Sequence, residues 1–215
     1  MLKKVLLGIA GLVAVLLVVV AMQPSTYHVE RSISVNAPVD VVFPVLNDMK
    51  RFKEWSPWQK LDPNMQNTVS GAEVGAGQVM EWSGNDKVGR GKMTIVESVP
   101  NERVTQDLEF IEPFASKAKT ALFVKPEGDG SVVTWSMDGE NDFMGKAMCL
   151  VMDMDAMIGA DYEKGLEALK PIVEEEAKKA AEAAKAEVEA AKAAVDAAAA
   201  QVVAAEAPAE EGRAD

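Results

Sequence analysis

Residues 78–139 read QVMEWSGNDKVGRGKMTIVESVPNERVTQDLEFIEPFASKAKTALFVKPEGDGSVVTWSMDG. Apolar and polar residues alternate through five runs: Gln78 to Ser83, Val88 to Val99, Arg103 to Ile111, Ala118 to Lys125 and Ser131 to Gly139. Alternation at period two marks a strand with one face buried. The separators Gly84-Asn85-Asp86-Lys87, Pro100-Asn101-Glu102, Glu112-Pro113 and Gly128-Asp129-Gly130 are turn sequences. They are too short for a crossover, so neighbouring strands must run antiparallel. Strand parity sets Trp82 beside Met80 and Gln78, Phe110 beside Leu108 and Val104, and Trp135 beside Met137 and Val133. So large an apolar face needs a cover.

Upstream, Tyr27 to Val35 alternates as well, with Val29, Ile33 and Val35 on one face. Arg31 falls on that same apolar face. Asn36 is placed to cap a helix from Pro38 to Asn47, with Pro38 in its first turn and Val41, Val42, Phe43 and Leu46 as its buried stripe. Met49 to Trp55 forms a second short helix, stopped by Ser56-Pro57 because a residue before proline is driven out of the helical region. A loop holding Gly71, Gly75 and Gly77 follows. Downstream, a long helical stretch begins near Phe143. Strand, two helices, an antiparallel meander and a C-terminal helix predict an α+β domain with its helices on one face of a curved sheet. The predicted cover runs from Phe143 to about Lys170, where Met144, Met148 and Met152 recur every four residues along one stripe, followed by Met154 and Met157. Methionine repacks readily around ligands of different shape, although a methionine-rich core seam has the same appearance.

Several of these residues also resemble a known superfamily. Val29-Glu30-Arg31-Ser32-Ile33 leads into Ala37-Pro38 and Val42-Phe43, followed by Trp55-Ser56-Pro57-Trp58 and Asp62-Pro63. Trp82-Ser83-Gly84-Asn85 with Gly89 and Gly91, Leu108-Glu109-Phe110, Thr134-Trp135, Gly165-Leu166 and Leu169-Lys170 come next, in an order and spacing that together are specific. From about Thr26 to Lys170 the chain resembles the SRPBCC, or START-like, superfamily in its polyketide cyclase/dehydrase and lipid-transport branch. The resemblance implies a helix-grip fold, in which a long C-terminal helix lies across a curved antiparallel sheet and closes a deep apolar cavity. It does not imply one activity, since the superfamily holds carriers, receptors and cyclases.

At the amino terminus, Val5 to Met22 is an unbroken apolar run behind Lys3 and Lys4. As a helix it would span about 27 Å, enough to cross a bilayer. The lysines belong on the cytoplasmic side. Residues 1–22 therefore read as a transmembrane anchor of a bacterial inner membrane, with the domain, residues 23–170, on the periplasmic side. Secretion after signal cleavage near Ala21 is the alternative. Beyond the domain, residues 171–207 are rich in Ala, Glu and Lys and favour helix, and residues 208–215 read as a disordered tail. Val188, Val195 and Val202 repeat every seven residues with alanines between them, a seam able to support only weak self-association.

Composition excludes several functions. Net charge is −12 and no basic cluster exceeds two residues, so no nucleic-acid partner is expected. One cysteine, Cys149, and one histidine, His28, exclude an intrachain disulfide and a Cys/His zinc site. No metal, cofactor or catalytic residue is assigned. The expected partner is an apolar small molecule or lipid, bound by Trp55, Trp58, Met80, Trp82, Leu108, Phe110, Trp135, Met137, Met148 and Met152. Arg31, which must find partners if it points inward, is either an anchor for a ligand head group at the cavity mouth or half of an internal ion pair. If the protein were instead a cyclase or dehydratase, acid–base work would fall to Tyr162, Asp107 or Glu81 with help from Arg31. A third class, a scaffold assembling through the C-terminal helix, fits the same sequence.

Overall fold

The computed structural model describes residues 2–206, and side chains through residue 200. It divides into two units, residues 1–174 and 175–215. The first opens with α1 (Leu2–Ala21) and β1 (Thr26–Val35), then α2 (Val39–Leu46), α3 (Met49–Trp55) and a 3₁₀ turn at Pro57–Lys60. Six strands follow: β2 (Gln66–Gly71), β3 (Gln78–Ser83), β4 (Arg90–Val99), β5 (Arg103–Glu112), β6 (Ser116–Glu127) and β7 (Gly130–Glu140). Two helices follow, α4 (Phe143–Met148) and α5 (Met154–Glu206).

All seven strands form one antiparallel sheet in the order β1-β7-β6-β5-β4-β3-β2, so the first strand pairs with the last. Register shifts between β4 and β5 at Arg90/Gly91 and Ile95/Glu97 add the extra residues that bend a sheet. The concave face carries Val29, Ile95, Val104, Leu122, Val124 and Val133, all essentially excluded from solvent. Helix α5 lies along it through Tyr162, Leu166, Leu169 and Val173, equally buried. Its course beside β1 is pinned by polar contacts: Arg31 to Asp155 and Glu163, Lys170 Nζ to the Ser34 carbonyl at 2.8 Å, and the Asn36 amide to Glu174 Oε1 at 2.8 Å. Gly165 permits this approach, because a Cβ there would sit 2.8 Å from the Trp135 ring. The α+β helix-grip architecture implied by the resemblance is the one observed.

Four details differ from the sequence expectations. Gln66–Gly71, expected within a loop, is an edge strand paired to β3; its polar residues disguise the alternation of inward Asn67 and Val69. Strand β4 starts at Arg90 rather than Val88, because Gly89 takes a positive φ of 63° and its carbonyl accepts from Gly84 to close the turn. Asn36 does not cap α2. Pro38 holds the cap position with no side-chain cap bond, and the Asn36 backbone N–H donates to Glu174 Oε1. Finally, the long helical stretch expected from about Phe143 is two helices. Asp142 accepts from Gly145 N at 2.7 Å and starts α4; Asp153 accepts from Ala156 N at 3.0 Å and starts α5 afresh. Residues 149–153 between them are irregular, so Met144, Met148 and Met152 share no stripe.

The second unit is helical through Glu206, and its Val188 and Val195 are exposed. The Val202 side chain and residues 208–215, read above as a seam position and a disordered tail, lie outside the described residues.

Candidate functional site

A cavity of about 160 Å³ lies between the concave face and α5. Its wall is built from two cross-strand rows. Met80, Met93 and Leu108 are register partners on β3, β4 and β5. In the adjacent row Trp82, Gly91 and Phe110 are partners in the same way. Gly91 has no side chain where a Cβ would strike the Trp82 indole, and the space lets Trp82 and Phe110 meet edge to face across it, 5.9 Å apart. Thr120 and Met137, paired on β6 and β7, continue the wall, and Tyr162 of α5 covers it. The opposite rim comes from Phe52 of α3, Ser56 between α3 and the 3₁₀ turn, and Trp58 and Gln59 of that turn, with Asn67 of β2; exposed Lys53 and Lys87 mark the mouth.

Trp135 is the hub of the aromatic wall. Tyr162 stacks on it at 3.9 Å, while Trp55, Trp58 and Phe52 meet it at steep angles, 5.2, 5.7 and 6.0 Å away. The Trp135 indole N–H donates to Thr120 Oγ1 at 2.9 Å, and the Thr120 hydroxyl donates to the Ser136 carbonyl at 2.8 Å. Tyr162 OH lies 3.4 Å from the same Thr120 oxygen. Burial pushes the Tyr162 phenol far above the usual tyrosine range, so it stays protonated at neutral pH. Two polar atoms in this apolar lining, Ser56 Oγ and Asn67 Oδ1, are buried and have no hydrogen-bond partner among the described residues. The Asn67 amide nitrogen does donate, to Gln59 Oε1 at 2.8 Å. A ligand group that donates to Asn67 or accepts from Ser56 would satisfy what the fold leaves open.

This arrangement has known counterparts. The profile of the family described as polyketide cyclase / dehydrase and lipid transport matches residues 26–174. The chain belongs to that family, within the SRPBCC superfamily. Among solved structures, a protein of Chromobacterium violaceum is 18% identical with a TM-score of 0.50, the match covering 70% of this chain and 98% of that one. The di-domain ARO/CYC StfQ from the steffimycin biosynthetic pathway is 14% identical with a TM-score of 0.53, covering 72% of this chain and 52% of StfQ, so the chain spans about half of that protein. Likeness at these identities establishes the fold alone. No curated protein sequence matches the chain.

Within this SRPBCC fold the site residues read from the sequence separate into groups. Trp58, Met80, Trp82, Leu108, Phe110, Trp135 and Met137 line the cavity. Trp55 does not; it is 2% exposed and packs behind Trp135 as core. Met148 and Met152 also lie outside the lining; the break at 149–153 separates them from α5, and α4 is in contact with α1 instead. Arg31 stands apart from the cavity with its guanidinium taken up by Asp155 at 3.0 and 3.1 Å, Glu163 at 2.8 Å and the Glu30 carbonyl at 2.7 Å. These contacts raise the guanidinium further above its ordinary value, and Arg31 in turn holds the Asp155 carboxyl below the usual carboxylate range. Ser56, Asn67, Met93 and Thr120 line the cavity as well and are not among the site residues expected from the sequence. Met93 and Thr120 were accessible to strand parity, but Ser56 and Asn67 sit on a turn and an edge strand where parity gave no signal.

Proposed function

We propose that this protein is a membrane-tethered binder of a small apolar molecule, which it holds in the helix-grip cavity without chemistry. The observation that carries the reading is the make-up of the cavity. Aromatic and methionine side chains form most of its wall, and its ionisable groups are Lys53 and Lys87 at the mouth and the buried Tyr162 phenol. No carboxylate, imidazole or thiol faces it among the described residues. Of the acid–base candidates, Asp107 and Glu81 belong to the opposite face of the sheet: Asp107 borders an open, polar trough there with His28 and Lys119, and Glu81 is exposed between inward Met80 and Trp82. A protonated phenol alone makes a poor general base.

Size and polarity narrow the ligand. An apolar cavity of about 150 Å³ holds a benzene-sized molecule, so the enclosed space here suits about one ring or a short chain, with any remainder emerging past Lys53 and Lys87. Unpartnered Ser56 Oγ and Asn67 Oδ1 favour a ligand carrying a hydroxyl or comparable small polar group. The tether is α1, whose apolar side chains from Leu2 to Val19 are exposed rather than packed on the domain, as a bilayer span requires. With Lys3 and Lys4 cytoplasmic, the domain would lie on the periplasmic side.

Native mass spectrometry of the full-length protein released from membranes tests the reading. A co-purifying apolar molecule, recovered unchanged and displaced by an apolar fluorescent probe, is the expected result. Conversion of the bound molecule, or absence of both ligand and probe binding, would overturn it.

A further inference from the structure

The segment following β7 carries an apolar surface that the cavity does not use. Phe143 and Met144 of α4 are 52% and 61% exposed, and Val151 in the irregular link is 82% exposed. Leu150 and Met152 beside it are also open to solvent, as is Met157 in the first turns of α5. Such a density of large apolar side chains on one short stretch marks a surface that meets something other than water.

What it meets is indicated by where it is fastened. Helix α4 is in contact with α1. Val20, in the last turn of α1, is 4% exposed and is the buried residue of that helix. Just before α4, the Asn141 amide donates to the Ser25 carbonyl at 2.9 Å and its side chain donates to the Pro24 carbonyl at 3.3 Å. The segment is thus tied to the point where the apolar helix ends. If α1 spans a bilayer, a helix packed against its last turn lies at the depth of the lipid headgroups.

We propose that residues 143–157 are seated in the membrane interface around the exit of α1, immersing Phe143, Met144, Leu150, Val151 and Met152 among headgroups and upper acyl chains. This rests on the tethered reading given above. The local charges select a zwitterionic surface. Lys146 is the one cation of the segment; Asp142 and Asp153 serve as helix caps, and Asp155 is paired to Arg31. Apolar contact, rather than attraction to anionic lipid, therefore holds it.

Depth-dependent quenching tests the proposal. Single cysteines replace Val151, Met144, Val13 and Asp129, each in a Cys149→Ser full-length protein, and carry a bimane label in phosphatidylcholine proteoliposomes with brominated acyl chains. Asp129 lies in the turn just before β7, at the end of that strand away from Asn141 and roughly 40 Å from it at about 3.3 Å per residue. Labels at Val151 and Met144 are expected to be quenched at least about two-fold more strongly than at Asp129, in keeping with a segment lying about 5–10 Å into the interface. Strong quenching at Val13 with none at Val151 and Met144 would overturn this proposal and leave the tether standing. No quenching at Val13 would overturn the tether, and this inference with it. Cross-linking of Val151 between two copies, without quenching, would assign the patch to self-association and refute the lipid contact.

Discussion

The phenol ring of Tyr162 lies flat on the indole of Trp135, centroids 3.9 Å apart and planes 6° from parallel. Helix α5 is joined to the sheet at this stack, and Thr120 supports both rings from below. Removing the Thr120 hydroxyl leaves the Trp135 N–H buried without an acceptor. Thr120→Val is expected to cost about 1–3 kcal/mol in urea unfolding, the penalty for an orphaned buried donor. Tyr162→Phe keeps the stack and gives up only a 3.4 Å contact, so its cost should stay below about 1 kcal/mol. A larger loss from Tyr162→Phe than from Thr120→Val would contradict this order.

The same burial makes stability sensitive to alkali. Tyr162 and Tyr27 both have phenol pKa values raised above the ordinary 10.0, chiefly by burial. A group raised in the folded state contributes stability that is intact below the unfolded pKa and declines as pH climbs towards the folded one. The urea midpoint should therefore be insensitive to these groups through neutral pH and fall above about pH 10, by up to about 1.4 kcal/mol per pH unit for Tyr162 and by less for the half-buried Tyr27, whose phenol is screened by solvent. Tyrosinate absorbance from Tyr162 should appear only with unfolding. Tyr162→Phe should flatten the decline.

Filling the cavity separates binding from folding. Leu108→Trp places added bulk into existing space, so the usual overpacking cost of about 1–3 kcal/mol should be reduced while uptake of an apolar fluorescent probe is lost. Met148→Ala and Met152→Ala remove side chains outside the lining and should leave uptake unchanged. Loss of binding in the methionine variants, with Leu108→Trp still binding, would relocate the site.

Arg31 tests the alternative of a ligand anchor. In Arg31→Met the start of α5 loses its ties to Asp155 and Glu163, and amide hydrogen exchange across residues 154–163 should quicken while probe affinity holds. The lowered Asp155 carboxyl adds an acid signature: the pair's contribution is present above about pH 3.8, the ordinary value, and is lost as pH falls through the depressed one. Selective loss of acidic ligands in Arg31→Met, with exchange unchanged, would restore the anchoring role.

Val188 and Val195 are 70% and 67% exposed among alanines, a seam with little area to bury. Sedimentation of the detergent-solubilised protein should report a monomer that Val188→Asp leaves unaltered. A dimer that survives dilution and dissociates in Val188→Asp would show a functional seam.

How much of this was legible beforehand follows from the range of the forces involved. Alternation from Gln78 to Gly139 determined five strands and their antiparallel order, because the inward side of a pleat depends only on residue parity and the turns are too short to permit anything else. Parity likewise placed Met80, Trp82, Leu108, Phe110, Trp135 and Met137 on the wall that lines the cavity. The apolar run from Val5 to Met22 was equally plain, since composition alone makes such a helix. Tertiary structure decided the rest. Methionines spaced by four residues look like one stripe until Asp153 caps a new helix and removes Met148 and Met152 from the grip. Arg31 on an apolar face is ambiguous until Asp155 and Glu163, more than a hundred residues away in sequence, arrive beside it on α5. Trp55 and Trp58 are three residues apart, yet one is core and the other lines the cavity, because only the packed position of Trp135 distinguishes their two sides. Local pattern specifies which face of an element is apolar; what that face meets is set by chain segments distant in sequence.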